Sequence, residues 1–290
     1  MWFKVFKSIV VGATILFGFS GCGGGGSSDG GGAKLAAPTY ENALKVEEAI
    51  FSNEINSHTY RAKELDDKQK ANPLVLNIAK EYIKLDSLNK PKYRVVSEVC
   101  QSGTLDVSVI EESATSKTYL YRYNNCNDGT KTINGTVKLV LAQKSGDIYY
   151  RQIITFQDGY RVVYPNGVNV SIADGGVIDI TITNYLSPTN YTFVLNTTMK
   201  ITQNGYSYGY EGMQLNYIVD GNSTYWYETA GVIYINNYKE YVLWDKSYDM
   251  FNTPFKVDEN GYPISGEARY QMDGAILRII ADNGLVILDL

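Results

Sequence analysis

The chain holds one histidine in 290 residues, three cysteines and seven prolines. A serine or cysteine hydrolase of the usual type needs histidine as its base, so His58 would have to serve. Its neighbour Ser57 lies in the same polar segment of helical pattern, and adjacent residues on a helix do not face each other. His58 therefore reads as a surface residue. One histidine and three cysteines, none in a Cys-x-x-Cys pair, cannot assemble the usual zinc ligand sets. Asn124 to Gly129 superficially resembles a calcium loop but has Cys126 at its third position and Gly135 at its twelfth, where a bidentate carboxylate is needed. The Gly23 to Gly32 tract lacks the Lys-Ser/Thr ending of a phosphate loop. No metal, cofactor or catalytic residue is expected.

No apolar run is long enough for a membrane-spanning helix, and no block of like charge occurs. The 26 basic residues less Lys4 and Lys7 of the leader, set against 31 acidic ones, leave a net charge of −7. Such a surface repels nucleic acid, which excludes it as a partner. What the chain does hold is 44% hydrophobic residues, 27 glycines and 25 tyrosines. That composition is globular, and tyrosine suits the pleated, half-buried surface of a strand.

Residues 1 to 21 read as a signal peptide: Lys4 and Lys7, an apolar run from Ile9 to Phe19, then Ser20 and Gly21 before Cys22. Phe19-Ser20-Gly21-Cys22 resembles the lipobox of bacterial envelope lipoproteins, departing from it at Phe19, where an aliphatic residue is usual. The resemblance implies a lipid on Cys22 and a membrane partner reached through the acyl chains. Gly23 after the cysteine favours the outer membrane under the enterobacterial sorting rule. Residues 22 to 38 then read as a glycine-rich tether, which a flexible chain of sixteen residues would extend to about 20–24 Å. With Cys22 acylated, Cys100 and Cys126 remain as one pair in an exported chain, where disulfides form and persist.

Residues 39 to 90 carry helical spacing. Tyr40, Ala43, Leu44, Glu47, Ile50, Phe51 and Ile55 mark one stripe, and Asn72-Pro73 opens a second helix through Leu74, Ile78, Tyr82 and Leu85. From 91 to 290 the period changes to two. Tyr191, Phe193, Leu195, Thr197, Met199 and Ile201 alternate with mostly polar residues, as do Val137, Leu139 and Leu141, and Ile178, Ile180 and Ile182. Asn-Gly and Asp-Gly dipeptides recur from Asp128-Gly129 to Asn283-Gly284 and supply the positive φ of tight hairpins. The expected fold is mainly β: an antiparallel meander forming a curled sheet, sandwich or partly closed barrel, with a helical hairpin packed on it or lidding it. Tyr123 to Cys126 leading into Asn134 to Val137, with Cys100 upstream, resembles a pattern in β-rich envelope lipoproteins of unassigned activity.

Tyr206, Tyr208 and Tyr210 share one strand face, and Tyr225, Trp226 and Tyr227 lie nearby. These six form a candidate ligand surface, since aromatic rings stack on sugars or anchor a partner protein, and they serve equally as cross-strand core residues. Asp220-Gly221-Asn222-Ser223-Thr224 resembles the acidic glycosylation acceptor of some bacteria. The expected function is a non-enzymatic, membrane-anchored binding or structural module whose ligand is a glycan, lipid or protein. The alternatives are a carrier of hydrophobic ligands in the curled sheet and an enzyme acting on envelope polysaccharide through carboxylates distant in sequence.

Overall fold

The computed structural model describes residues 32–51, 74–80, 82, 100–146, 148–187, 189–248, 253–258, 263–283 and 285–290. The leader, Cys22, His58, Asn72-Pro73 and the Asn260-Gly261 dipeptide lie outside the described residues. Fifteen strands among those described join into one sheet, mostly by pairing of sequential neighbours. β1 (Lys34–Leu35) stands first in the chain. β2 (Ser102–Glu112), β3 (Lys117–Asn127), β4 (Thr132–Ser145) and β5 (Ile148–Val163) then form successive antiparallel hairpins. Two short strands share the next position: β6 (Asn169–Ile172) pairs with the end of β5 and β7 (Val177–Ser187) with its start. Both pair again with β8 (Asn190–Gln203), which continues into β9 (Tyr206–Asp220) and β10 (Ser223–Ile235). The doubling recurs beyond β10, where β11 (Glu240–Trp244) and β12 (Phe255–Val257) both lead to β13 (Pro263–Met272). β14 (Ala275–Asp282) and β15 (Leu285–Asp289) complete the meander.

The mainly β meander expected from the alternation is thus the architecture found, with one parallel addition. β1 pairs in parallel with β11, and Ala36 beside it is fully buried. Residues 34 to 36, read from sequence as the end of the tether, therefore belong to the folded part, because the edge of β11 offers unpaired backbone groups that a two-residue strand can satisfy.

One face of the sheet is mostly apolar. In β8, Phe193, Leu195, Thr197, Met199 and Ile201 are buried while Asn196, Thr198 and Lys200 are exposed. Val137, Leu139 and Leu141 of β4 and Ile178, Ile180 and Ile182 of β7 fall on the same buried side. α1 (Tyr40–Ile50) and α2 (Leu74–Lys80) cover this face. About twelve strand positions at about 4.8 Å each would span roughly 50–55 Å if flat, far wider than two adjoining helices about 10 Å thick. Yet α1 touches α2, β10 and β15, and Tyr82, just past α2, packs edge-on against Tyr121 of β3 and Phe156 of β5. The sheet must therefore curl around the helices.

The Thr39 hydroxyl caps α1 by accepting from the Asn42 backbone N–H at 3.2 Å. The buried face is Asn42, Ala43, Val46, Glu47, Ala49 and Ile50, rotated from the expected stripe. Tyr40 is 65% exposed and Leu44 half-buried, while Phe51 leaves the helix as its extended C-cap and is buried. A polar contact accounts for the rotation. The Asn42 side chain donates to the Ala37 carbonyl at 2.9 Å and accepts from Asn236 at 2.9 Å, which turns position 42 inward.

Two of these turn dipeptides are not turns. Asn134-Gly135 and Asp158-Gly159 lie inside β4 and β5, where the register shifts between Asn134 and Thr136. A β-carbon at Gly135 would sit 2.5 Å from the Tyr160 α-carbon, so its backbone-only profile admits the bulge of the facing strand. Asn204-Gly205, with φ of 50° and 88°, does form the tight β8–β9 hairpin.

The outer face carries an ordered row. Lys200, Gly209, Tyr234 and Tyr241 are direct partners across β8, β9, β10 and β11. Tyr238 folds back over Gly209 to fill the missing side chain's place, its ring stacked on Tyr234 at 5.0 Å and 10° and capped by the Lys200 ammonium at 4.6 Å. Reaching that position takes three consecutive left-handed residues, Asn236, Asn237 and Tyr238, with φ of 53°, 56° and 67°. Such a run costs on the order of 1–3 kcal/mol per residue and persists only when its surroundings impose it. Asn236 is held by Asn42, Glu240 and Lys45, and Asn237 accepts from the Ser207 backbone N–H at 2.8 Å.

A β-carbon at Gly209 would stand 2.0 Å from the Tyr238 hydroxyl. Gly209→Ala is expected to eject the ring and cost about 1–3 kcal/mol. Measured by urea denaturation, Gly209→Ala and Tyr238→Ala should be strongly less than additive, because the second change removes what the first displaces. Additive costs would exclude the filled-gap reading.

Candidate functional site

The six aromatic residues of the expected ligand surface do not share one surface. Tyr206 is 47% exposed at the start of β9, with the Lys45 ammonium 6.0 Å from its ring centre. Tyr225 and Tyr227 are half-buried and project from the sheet face opposite Trp226, as strand alternation requires; Lys256, the partner of Tyr225 on β12, places its ammonium 5.5 Å from the Tyr225 ring. Tyr208, Tyr210 and Trp226 are core residues. Side chains buried between sheet and helix offer no face to a ligand, so these three are withdrawn from that surface.

What Tyr210 and Trp226 belong to is the junction where the end of α1 meets β9, β10 and β12. Trp226 stacks on Phe255 at 4.5 Å and 6°, and Phe51 meets both rings edge-on at 5.8 and 5.6 Å. The Tyr210 hydroxyl donates to the Ala49 carbonyl in the last turn of α1, satisfying one of the carbonyls that a helix end leaves open.

At the centre of this junction sits a carboxyl group. Glu228 is 1% exposed, one of its oxygens accepts from the Tyr270 hydroxyl at 2.6 Å, and the other has no hydrogen-bond partner among the described residues. Strand alternation puts it there: two residues beyond Trp226 on β10 is the same inner face, and the register shift that follows Glu228 comes one residue too late to turn it outward. Burial pushes its pKa up to about 7, with the Tyr270 hydrogen bond opposing that rise in part. The ionisable groups that interact with it among the described residues are Tyr270 of β13 and Tyr210 of β9, and Tyr210 is in turn coupled to Tyr238 and to Glu48 of α1. Burial, and then the Glu228 charge, drive the Tyr210 and Tyr270 hydroxyls well above their usual range, so both stay protonated donors.

A carboxyl that titrates near neutrality has the acidity of a general acid. Glu228 is nevertheless 1% exposed, and its hydrogen-bond partner among the described residues is the Tyr270 hydroxyl, a group of the core itself. Glu228 was not among the residues singled out from the sequence. Its parity with Trp226 was the available signal.

Several other acidic residues are paired. Glu267 accepts from Arg269 and Arg278, which hold it below the usual carboxylate range, and Arg278 also reaches Asp289 at 2.7 Å. Arg151 and Asp179 form a two-point pair across β5 and β7 at 3.1 and 2.7 Å. Of the carboxylate pairs adjacent in sequence, Glu47 is buried on α1 while Glu111 and Glu112 are exposed on β2. Among the described residues no group of three or more His, Cys, Asp or Glu side chains could hold a metal ion. Cys100 and Cys126 are joined in a disulfide that ties the start of β2 to the bulged end of β3, with 5.1 Å between α-carbons.

Glu228 makes stability depend on pH with a definite sign. Its folded pKa lies above the value of about 4.5 that it has when unfolded, so its contribution is complete below pH 4.5 and is lost as the pH rises through about 7. Urea unfolding of the wild type and Glu228→Gln between pH 4.5 and 8.5 should show the wild type losing on the order of a few kcal/mol relative to the variant. A difference that does not change with pH would contradict a protonated Glu228.

No protein-family model matches the chain, no curated protein matches it and no solved structure matches it, so its own residues carry the reading of function.

Proposed function

We propose that this protein is an exported, non-enzymatic binding or structural module of a bacterial envelope, held to the membrane by a lipid on Cys22. The observation that carries the reading is the Cys100–Cys126 disulfide following a leader that ends in Phe19-Ser20-Gly21-Cys22. A disulfide between well-packed strands belongs to an oxidising compartment, and closing its loop stabilises the fold by about 3–4 kcal/mol in the chain-entropy model. The glycine-rich tract after Cys22 suits a tether between membrane and domain. Outer-membrane placement rests on Gly23 alone. Tyr206, beside Lys45, Tyr225, beside Lys256, and Tyr227 are the accessible aromatic residues of the original six through which a glycan or protein ligand would be met.

A second reading, a carrier of hydrophobic ligands, draws on one observation. At the β7–β9 end of the inner face, Tyr185, Tyr191, Phe193 and Tyr217 stack in sequence at 6.4, 6.2 and 4.9 Å. Against it, Trp226, Tyr210, Tyr270, Phe51, Phe156 and Phe255 fill the middle of that face with side chains less than 2% exposed. Filled volume supports the anchored module over the carrier.

Three measurements on one preparation test the proposal. The wild-type chain should fractionate with membranes and carry the mass of diacylglycerol and acyl chains on Cys22, while Cys22→Ala should be released and unlipidated. Its mass should also be two hydrogens below that of the reduced chain, and Cys126→Ser should lower the urea midpoint by the equivalent of about 3–4 kcal/mol. An unlipidated wild type, or Cys22→Ala still in the membrane fraction, would rule out the anchor. A lipid that leaves the native protein only on denaturation would favour the carrier.

A further inference from the structure

Five asparagines open an Asn-x-Ser/Thr triplet: Asn134, Asn169, Asn190, Asn196 and Asn222. This triplet is the acceptor for N-linked glycans on surface loops of exported chains. The fold separates the five. The Asn134 side-chain oxygen accepts from the Asn125 backbone N–H at 2.8 Å, that of Asn169 from Arg161 at 2.7 Å and that of Asn196 from Gln214 at 3.0 Å. Each of these amides is committed to the strand pairing around it. Asn190 is half-buried and sits directly opposite Asp220 in the β8–β9 pairing.

Asn222 differs in every respect. β9 ends at Asp220 and β10 starts at Ser223, so Gly221 and Asn222 are the two residues at the tip of the hairpin, and both are exposed. Gly221, with φ of 58°, supplies the left-handed residue that a two-residue turn needs. The Asn222 side chain has no hydrogen-bond partner among the described residues. An acid, Asp220, stands two residues before it, where the other four triplets have Thr132, Gly167, Pro188 and Val194.

From this combination we propose that Asn222 is an N-glycosylation site, modified during export by a membrane oligosaccharyltransferase that recognises the acid at Asp220. The inference rests on the export reading above. The donor is an oligosaccharide linked through pyrophosphate to a polyprenol. The Asn222 side-chain nitrogen attacks the first sugar's C1 and forms the C1–N bond. The bond from C1 to the pyrophosphate oxygen breaks, and the polyprenyl pyrophosphate leaves with the electron pair. The amide proton passes to a carboxylate of the transferase.

The fold also sets the order of events. The Thr224 side chain hydrogen-bonds to Tyr217 and its backbone pairs with Val219 and Val257. A transferase must read that hydroxyl, so transfer precedes closure of the β9–β10 hairpin. Once the hairpin closes, the glycan projects from its tip and displaces no contact.

The test uses the full chain behind a heterologous secretory leader, in a bacterium supplying a lipid-linked oligosaccharide and a transferase of this acceptor preference. Intact mass and glycopeptide sequencing should show one glycan at Asn222, none at the other four asparagines, and complete loss in Asn222→Gln and in Asp220→Ala. All three chains should still carry the Cys100–Cys126 disulfide, which reports export and folding. An oxidised wild-type chain without glycan, or a glycan at another asparagine, would overturn the proposal. Because the leader is supplied, that failure leaves the native leader and the Cys22 anchor untouched, and loss of the anchor leaves Asn222 standing.

Discussion

An antiparallel meander with one apolar face is unstable until that face is covered, and nearly every feature of this molecule follows from how it is covered. The alternation in β4, β7 and β8 commits the sheet to one buried side. α1 and α2 are too narrow to cover it flat, so the sheet bends around them. Apolar burial of roughly 1.5–3 kcal/mol per large side chain makes this contact the principal source of stability. The seating of α1 is directional because polar groups define it. Asn42 and Lys45 bind Asn236, and the last turn is tied through the Ala49 carbonyl to Tyr210.

That seating reaches the opposite face of the sheet through one strained turn. Asn236 is at once the docking point for α1 and the first of three left-handed residues that carry Tyr238 over Gly209. Inner-face burial thus supports the backbone strain that completes the outer-face row. Glu228 is a second consequence of the same constraint. The alternation that places Trp226 against Phe51 and Phe255 places a carboxyl two residues later in the same dry space, where Tyr270 is its one hydrogen-bond partner among the described residues. The neutral form is favoured there because ionisation would leave a charge in low dielectric without a counter-ion.

The function proposed here follows from where chemistry is left over once the core is satisfied. The filled middle of the inner face leaves Tyr206, Tyr225 and Tyr227, among other surface groups, to meet the surroundings. The disulfide beside the bulged end of β3 suits a chain that folds after export. Asn222, exposed at a hairpin tip and with no side-chain hydrogen bond among the described residues, has room for a bulky addition that the buried or bonded asparagines lack.

The sequence by itself determined the period-two alternation, the strands, most of the hairpins, the two helices and the Cys100–Cys126 pair, because these depend on local side-chain periodicity and turn chemistry. It placed Tyr206, Tyr208 and Tyr210 on one strand face, but burial of that face is a long-range matter, settled only when α1 docks. For the same reason it mistook Tyr40 for a core residue and passed over Val46, since the rotation of α1 is fixed by Asn236, about 190 residues away. Asn134-Gly135 and Asp158-Gly159 are locally indistinguishable from turns, and only the facing strand makes them bulges. The parallel docking of residues 34 to 36, the filling of Gly209 by Tyr238 and the raised pKa of Glu228 were decided by tertiary structure alone. Each depends on which backbone edge, gap or charge a distant segment brings close, and local sequence does not encode that distance.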